Sequence, residues 1–156
     1  MSNVLTIPYT AIQIPPKGSF SAKTIYSPIL KTFLNNEKPL FSFESIVDSG
    51  ADFCVFPAEL GKIAGIDITA GDVLPTKGVG GIEILYFHTV KVGVVVNEEV
   101  LRFSCYAGFS SKMSIGLLGR KGFFNIFDEI HFNEKTRMFR LKGGNIKSEK
   151  TDFLHE

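Results

Sequence analysis

The sequence predicts an all-β domain with one or two short helices. Three observations carry that expectation: long stretches alternate apolar and polar residues with a period of two, clusters of turn-forming residues separate them, and helical spacing is confined to two brief stretches. In chain order, the apolar runs at 25–34 and 40–47 flank Asn35-Asn36-Glu37-Lys38-Pro39 and predict a hairpin. Pro57 suits the first position of a short helix whose Leu60, Ile63 and Ala64 share a face and which Gly65 stops. From 82 to 96 one face reads Ile82, Ile84, Tyr86, His88, Val90, Val92, Val94 and Val96, against Glu83, Thr89, Lys91 and Gly93 on the other. After the polar turn Asn97-Glu98-Glu99, Leu101, Phe103, Cys105 and Ala107 alternate with Arg102, Ser104 and Tyr106, which predicts a second hairpin. Phe123, Ile126 and Phe127 lie at helical spacing and predict a second helix of about two turns. A third hairpin is expected where 129–132 and 137–141 flank Asn133-Glu134-Lys135-Thr136. The chain thus divides into an N-terminal segment, 1–24, that can form strand, a main domain, 25–142, and a polar tail, 143–156, that reads as loose.

Composition narrows the function classes. Lys and Arg number 17 against 16 Asp and Glu, a formal net charge of +1, which argues against a nucleic-acid binder driven by phosphate neutralisation. With 44% hydrophobic residues and 15 Phe in 156 residues, the chain can fill one core of its own. No apolar run reaches the roughly 18 to 20 residues of a membrane helix, and the first 16 residues lack a basic start and an unbroken apolar stretch. A cytoplasmic protein with no membrane partner is expected. Cys54 and Cys105 could form at most one disulfide, and both read as reduced core residues.

Several chemistries are missing. His88, His131 and His155 stand far apart without partners at a metal-ligand spacing, so neither a metal nor another cofactor is expected. The chain has no G-x-S-x-G elbow and no phosphate-binding G-x-x-x-x-G-K-[ST] loop. A nucleophilic pair of Cys54 or Cys105 with His88 is open as an alternative, although His88 reads better as a strand residue satisfied by a local hydrogen bond.

What remains is Asp48-Ser49-Gly50, at the end of the apolar run 41–47 and followed by Ala51-Asp52-Phe53-Cys54-Val55-Phe56. Gly78-Val79-Gly80-Gly81 opens the long alternating run, and Ile115-Gly116-Leu117-Leu118-Gly119-Arg120 precedes the second expected helix. These three elements, in this order, resemble the retropepsin-like aspartic proteases, the single-domain half of the pepsin architecture, over about 30–141. The resemblance implies an acid protease barrel, a homodimer across a two-fold axis and an extended peptide or protein substrate. It implies Asp48 as the catalytic carboxylate, Gly78, Val79, Gly80, Gly81 and Ile82 as the flap over the substrate, and an Asp52–Arg120 pair supporting the active-site loop. Leu117-Leu118-Gly119-Arg120 would pass beside that loop and open a helix. The longer N-terminal segment and the residues after the second helix depart from the viral pattern, so the termini that knit the viral dimers need not do so here.

The chemistry explains why these residue types recur. Peptide hydrolysis without a metal or a covalent intermediate needs a base to activate water and an acid for the carbonyl and leaving amine, and two carboxylates sharing one proton supply both. This chain has one Asp-[Ser/Thr]-Gly, and Asp52, Asp67, Asp72, Asp128 and Asp152 lie in no such context. The second carboxylate must then come from a second copy. Ser49 can donate and accept across the dyad, while Gly50 and Ala51 keep the loop small enough for backbone to approach the carboxylate. Two other classes compete: a dimeric peptide-binding module that keeps the scaffold without cleaving, and a structural or regulatory protein with a chance triplet.

Overall fold

A computed structural model describes residues 3–34, 41–144 and 148–150. In chain order its strands are β1 (Val4–Pro8), β2 (Thr10–Ile14), β3 (Lys23–Ser27), β4 (Ile29–Leu34), β5 (Phe43–Val47), β6 (Val55–Pro57), β7 (Asp72–Gly78), β8 (Gly81–Val96), β9 (Glu99–Ser110), β10 (Gly116–Leu118), β11 (Glu129–Asn133), β12 (Met138–Lys142) and β13 (Ser148–Lys150). One helix, α1 (Ala58–Ile63), follows β6, and 3-10 turns stand at Ile68–Ala70 and Phe124–Ile126. The largest sheet runs β13-β9-β6-β10-β5-β4-β8-β7, and a further β8–β9 pairing closes six of these strands into a barrel. A three-stranded sheet, β1-β12-β11, and a separate β2–β3 hairpin complete the chain.

The expected hairpins of β8 with β9 and β11 with β12 form. The first is tighter than the polar cluster suggested. Val96 pairs with Glu99, leaving Asn97 and Glu98 as a two-residue turn with φ of 48° and 68°, the left-handed geometry that matches strand twist. β4 and β5 pair antiparallel as expected, and their connecting residues 35–40 lie outside the described residues.

The run 25–34, expected as one strand, is instead divided at Pro28. Proline has no N–H to donate, so the ladder breaks there, and the preceding residues turn away to pair with β2. The segments flanking the main domain also carry strands: β1 pairs along its whole length with β12, and Ser148–Lys150, in the stretch expected as a loose tail, pairs with β9.

β8 departs from its expected burial. Val90, Val92, Val94 and Val96 are buried as the alternation predicts, but Ile82 and Ile84 are 72% and 54% exposed, while Leu85 and Phe87 of the opposite face are buried. The strand serves two layers. Its later part lines the main core with Phe56, Phe109, Phe123 and Phe139, whereas Leu85 and Phe87 join Val55, Phe53, Met113 and Leu117 in a second cluster, and the stretch before them projects with β7 beyond the barrel.

The helices are reduced. Pro57 closes β6 and caps α1 rather than opening it, and the buried residues are Ala58 and Gly61, not Leu60, Ile63 and Ala64. A Cβ at Gly61 would lie 2.7 Å from the Phe109 ring, so this side meets the barrel too closely for a larger residue. The second expected helix is only the 3-10 turn Phe124–Ile126. Gly122, at φ +111°, breaks helical geometry, and the spacing of Phe123 and Phe127 reflects core anchoring across a turn, their rings 5.2 Å apart. No helix of the described residues is long and apolar enough to cross a membrane.

Candidate active site

β10 lies parallel to β5, with Leu118 opposite Val47, and antiparallel to β6, with Leu117 opposite Val55. The connection from β5 to β6, which carries Asp48, Ser49, Gly50, Ala51 and Asp52, must therefore loop over the end of β10. Backbone hydrogen bonds pin it there: the Asp48 N–H donates to the Leu118 carbonyl at 3.0 Å, the Arg120 N–H to Ala51 at 2.9 Å and the Lys121 N–H to Asp52 at 2.8 Å. The expected passage of Leu117-Leu118-Gly119-Arg120 beside the loop is thus present, although it leads into a turn and not a helix.

Within the loop, the Gly50 N–H donates to Asp48 Oδ1 at 2.8 Å and orients the carboxylate. A Cβ at Gly50 would sit 3.2 Å from that same oxygen, so glycine keeps the approach open. Asp48 is half-buried, while Ser49 and Gly50 are exposed, which presents the carboxylate end of the loop at the surface. Gly119 is the tightest point: a Cβ there would overlap the Phe53 carbonyl and lie 2.9 Å from the Ala51 oxygen. Gly119→Ala should destabilise the protein by about 2 to 4 kcal/mol, because backbone on both sides must move. Urea unfolding of the variant would measure this, and a loss below about 0.5 kcal/mol would contradict the packing.

Asp52 and Arg120 form the expected ion pair. It is not buried, however: the side chains are 67% and 56% exposed, so in the single chain it counts as a surface pair. Arg120→Ala should accordingly cost less than about 1 kcal/mol in chemical denaturation of the monomer, and a larger loss would mean that the pair supports more of the loop than this geometry implies.

β7 and β8 form a hairpin where the flap is expected. Gly78 pairs with Gly81 around a Val79-Gly80 turn, and Gly81 stands at φ +108°, open to glycine at little cost. Val79, Ile82, Ile84, Val73 and Leu74 are all exposed, an apolar surface on a projecting hairpin. This hairpin meets the Asp48 loop at its root. Phe87 packs edge-on against Phe53, ring centroids 5.1 Å apart, five residues beyond Asp48. The hairpin is braced twice more: at its base the Tyr106 hydroxyl donates to the Asp72 carboxylate at the start of β7, and towards its tip the buried Ser110 hydroxyl donates to the Glu83 carboxylate opposite Thr76. The bond to Asp72 holds the Tyr106 hydroxyl above its ordinary pKa. Sequence reading missed these supports. Phe53, Tyr106 and Ser110 carry no local signal, since their partners lie many residues away.

The cysteine–histidine alternative finds no support in this arrangement. His88 Nε2 bonds the Ile68 carbonyl at 2.8 Å, and its ring stands edge-on to Phe109. Cys54 and Cys105 are free and buried, and the neighbouring Cys54 thiol together with burial pushes the Cys105 thiol up. Among the described residues, no cluster of three or more His, Cys, Asp or Glu could hold a metal ion.

No protein-family model matches the chain, and no curated protein matches it. A solved structure does. The crystal structure of a retropepsin-like aspartic protease from Rickettsia conorii aligns with a TM-score of 0.59 at 16% sequence identity, covering 96% of this chain and 96% of that one. At that identity the likeness is one of architecture, and it extends over strands inside and outside the barrel alike: the chain has the retropepsin-like aspartic protease fold.

Proposed function

We propose that the chain is an aspartic endopeptidase that works as a homodimer, with Asp48 of each protomer forming the catalytic dyad. The observation that carries this reading is the Asp48 loop itself: a carboxylate held by the Gly50 N–H, at the surface of a retropepsin-like barrel, beside a projecting apolar hairpin. One carboxylate cannot be both base and acid for the same bond. Two, about 3 Å apart, cannot both be ionised and therefore share one proton, so one takes a proton from the attacking water while the other gives one to the scissile carbonyl, and the roles reverse as the amine leaves.

The other residues act on the same logic. Ser49, Gly50 and Ala51 keep the loop narrow enough for its two-fold mate to approach, and Asp52 with Arg120 steadies its far side. Gly78, Val79, Gly80, Gly81 and Ile82 close over an extended peptide, which lies as an added strand against main-chain groups while its side chains meet apolar surface. The exposed Val79, Ile82 and Ile84 favour substrates with apolar side chains at the cleavage site.

The test is the rate of cleavage of an apolar peptide library by the purified protein across pH 3 to 8. A bell-shaped profile centred near about pH 5 is expected from a shared proton. A rate that climbs steadily to pH 8, or inactivation by thiol alkylation, would assign the chemistry to a cysteine. Peptide binding without cleavage at any pH would leave a binding module.

A further inference from the structure

We propose that the β2–β3 hairpin is an arm that clasps the second copy of the chain beside the Asp48 loop. The inference rests on the homodimer reading above and adds the surface through which the copies hold each other.

The arm stands apart from both sheets. β2 and β3 pair with each other, from Thr10 opposite Ser27 to Ile14 opposite Lys23, and reciprocal backbone bonds between Lys17 and Phe20 extend the ladder toward the tip. From Thr10 to Lys17 it reaches about 25 Å at strand rise. A lone two-stranded hairpin is marginal in water unless one face is covered.

Its two faces differ. Alternation puts Tyr26 on one side, where the Arg137 guanidinium lies 3.8 Å over its ring and ties that face to the β11–β12 turn of the same chain. The other side carries the half-buried Ile12 and Ile14 and the exposed Ile25, together with Lys23, whose ammonium lies 4.6 Å over the ring of Phe20 near the tip. Ile25 and Phe20 are 43% and 44% exposed, so among the described residues this apolar stripe has an incomplete cover. Three isoleucines at strand spacing, with a phenylalanine near the tip, suit a protein surface rather than a charged ligand.

The root of the arm identifies the occupant. β3 ends at Ser27, and the carbonyl of Pro28 accepts the Val47 N–H at 2.8 Å, one residue before Asp48. The arm therefore leaves the barrel beside the loop that must meet its own two-fold mate for the dyad to form. A projection of that length, rooted next to the symmetry axis with an open apolar stripe, finds the partner copy as its nearest surface. Two-fold symmetry then gives two such clasps per dimer. The short backbone segments near the dyad would be held by contacts well outside the cleft.

The test uses the full chain. Ile25→Asp and Phe20→Ser should each raise the dimer dissociation constant at least about tenfold in sedimentation velocity. Activity at a fixed low concentration should fall with the dimer fraction, while kcat per dimer at high protein concentration and the circular dichroism of the chain stay at parent values. Independently, a photoreactive phenylalanine analogue at position 20, in a mixture of nitrogen-14 and nitrogen-15 chains, should give crosslinked products of mixed mass. A dimeric parent whose arm variants associate unchanged, or crosslinks confined to one chain, would overturn the arm and leave the homodimer standing. Variants with unchanged association but raised KM would assign the arm to the substrate cleft and likewise overturn it. A parent that stays monomeric at every concentration would overturn both.

Discussion

Asp48→Asn should lower peptidase activity by at least about a hundredfold, the range supplied by a positioned acid–base group, while the protein still folds and dimerises. The amide keeps the carboxylate's shape, and its oxygen can still accept the Gly50 N–H that holds Oδ1 at 2.8 Å. What it loses is the capacity to take a proton from water. Initial rates at about pH 5 against an apolar peptide, with sedimentation velocity on the same samples, separate chemistry from assembly. Equal activity of variant and parent would remove Asp48 from the mechanism. A variant that no longer dimerised would point to a structural role for the charge instead.

If each protomer carries half of the acid–base pair, as proposed, activity should also vanish on dilution. Below the dimer dissociation constant, specific activity per protomer should track the dimer fraction, whereas a site complete in one chain is indifferent to concentration. Mixing sharpens the expectation. With a ninefold excess of Asp48→Asn, random pairing leaves only about one parent protomer in ten with a parent partner, so activity per parent protomer should drop roughly tenfold at full dimer occupancy. Full activity at nanomolar concentration, with a monomer confirmed by sedimentation, would require a second carboxylate within the chain. No other Asp-[Ser/Thr]-Gly exists to provide it.

The arm bears on both measurements. If it sets the strength of association, parent and arm variants should share one curve of activity against dimer fraction while differing in the protein concentration at which each point is reached. A curve of different shape for the variants would place the arm's effect in the site rather than in assembly.

Much of this molecule was legible from local pattern. Alternation in 82–96 and 101–107 could only be a paired β-ribbon, since one face of a strand must leave water and the turn Asn97-Glu98 tolerates positive φ. The Asp48-Ser49-Gly50 triplet and the Leu117-Leu118-Gly119-Arg120 run were identifiable because each sits on a single strand end, so each stretch of the candidate site is contiguous in the chain. Pro28 also carried its own signal, a residue that cannot donate to a ladder, although the apolar run around it masked the break.

Tertiary structure decided the remainder, and in each case the reason is that the deciding partner lies far away in sequence. β7 contains Pro75 and has no apolar alternation, and it becomes a strand because β8 supplies its ladder from Phe87 down to Gly81. Ile82 and Ile84 share the periodicity of Val90 and Val92 but not their burial, because the barrel wall ends between them and periodicity does not encode where a strand leaves a core. Phe123 and Phe127 have helical spacing yet serve a turn, since Gly122 and the packing around Cys54 and Cys105 set the backbone there. Asp52 and Arg120 find each other as expected, but their exposure depends on how the chain packs around the loop rather than on either residue. The sequence by itself determined the alternating strands, the Asp48 loop and the single Asp-[Ser/Thr]-Gly in the chain, because short-range sterics and alternation suffice for those. The closed barrel, the rooting of the β7–β8 hairpin on Phe53 and the docking of the β2–β3 hairpin through Arg137 and Tyr26 belonged to the tertiary structure alone, because they arise from contacts between segments tens of residues apart.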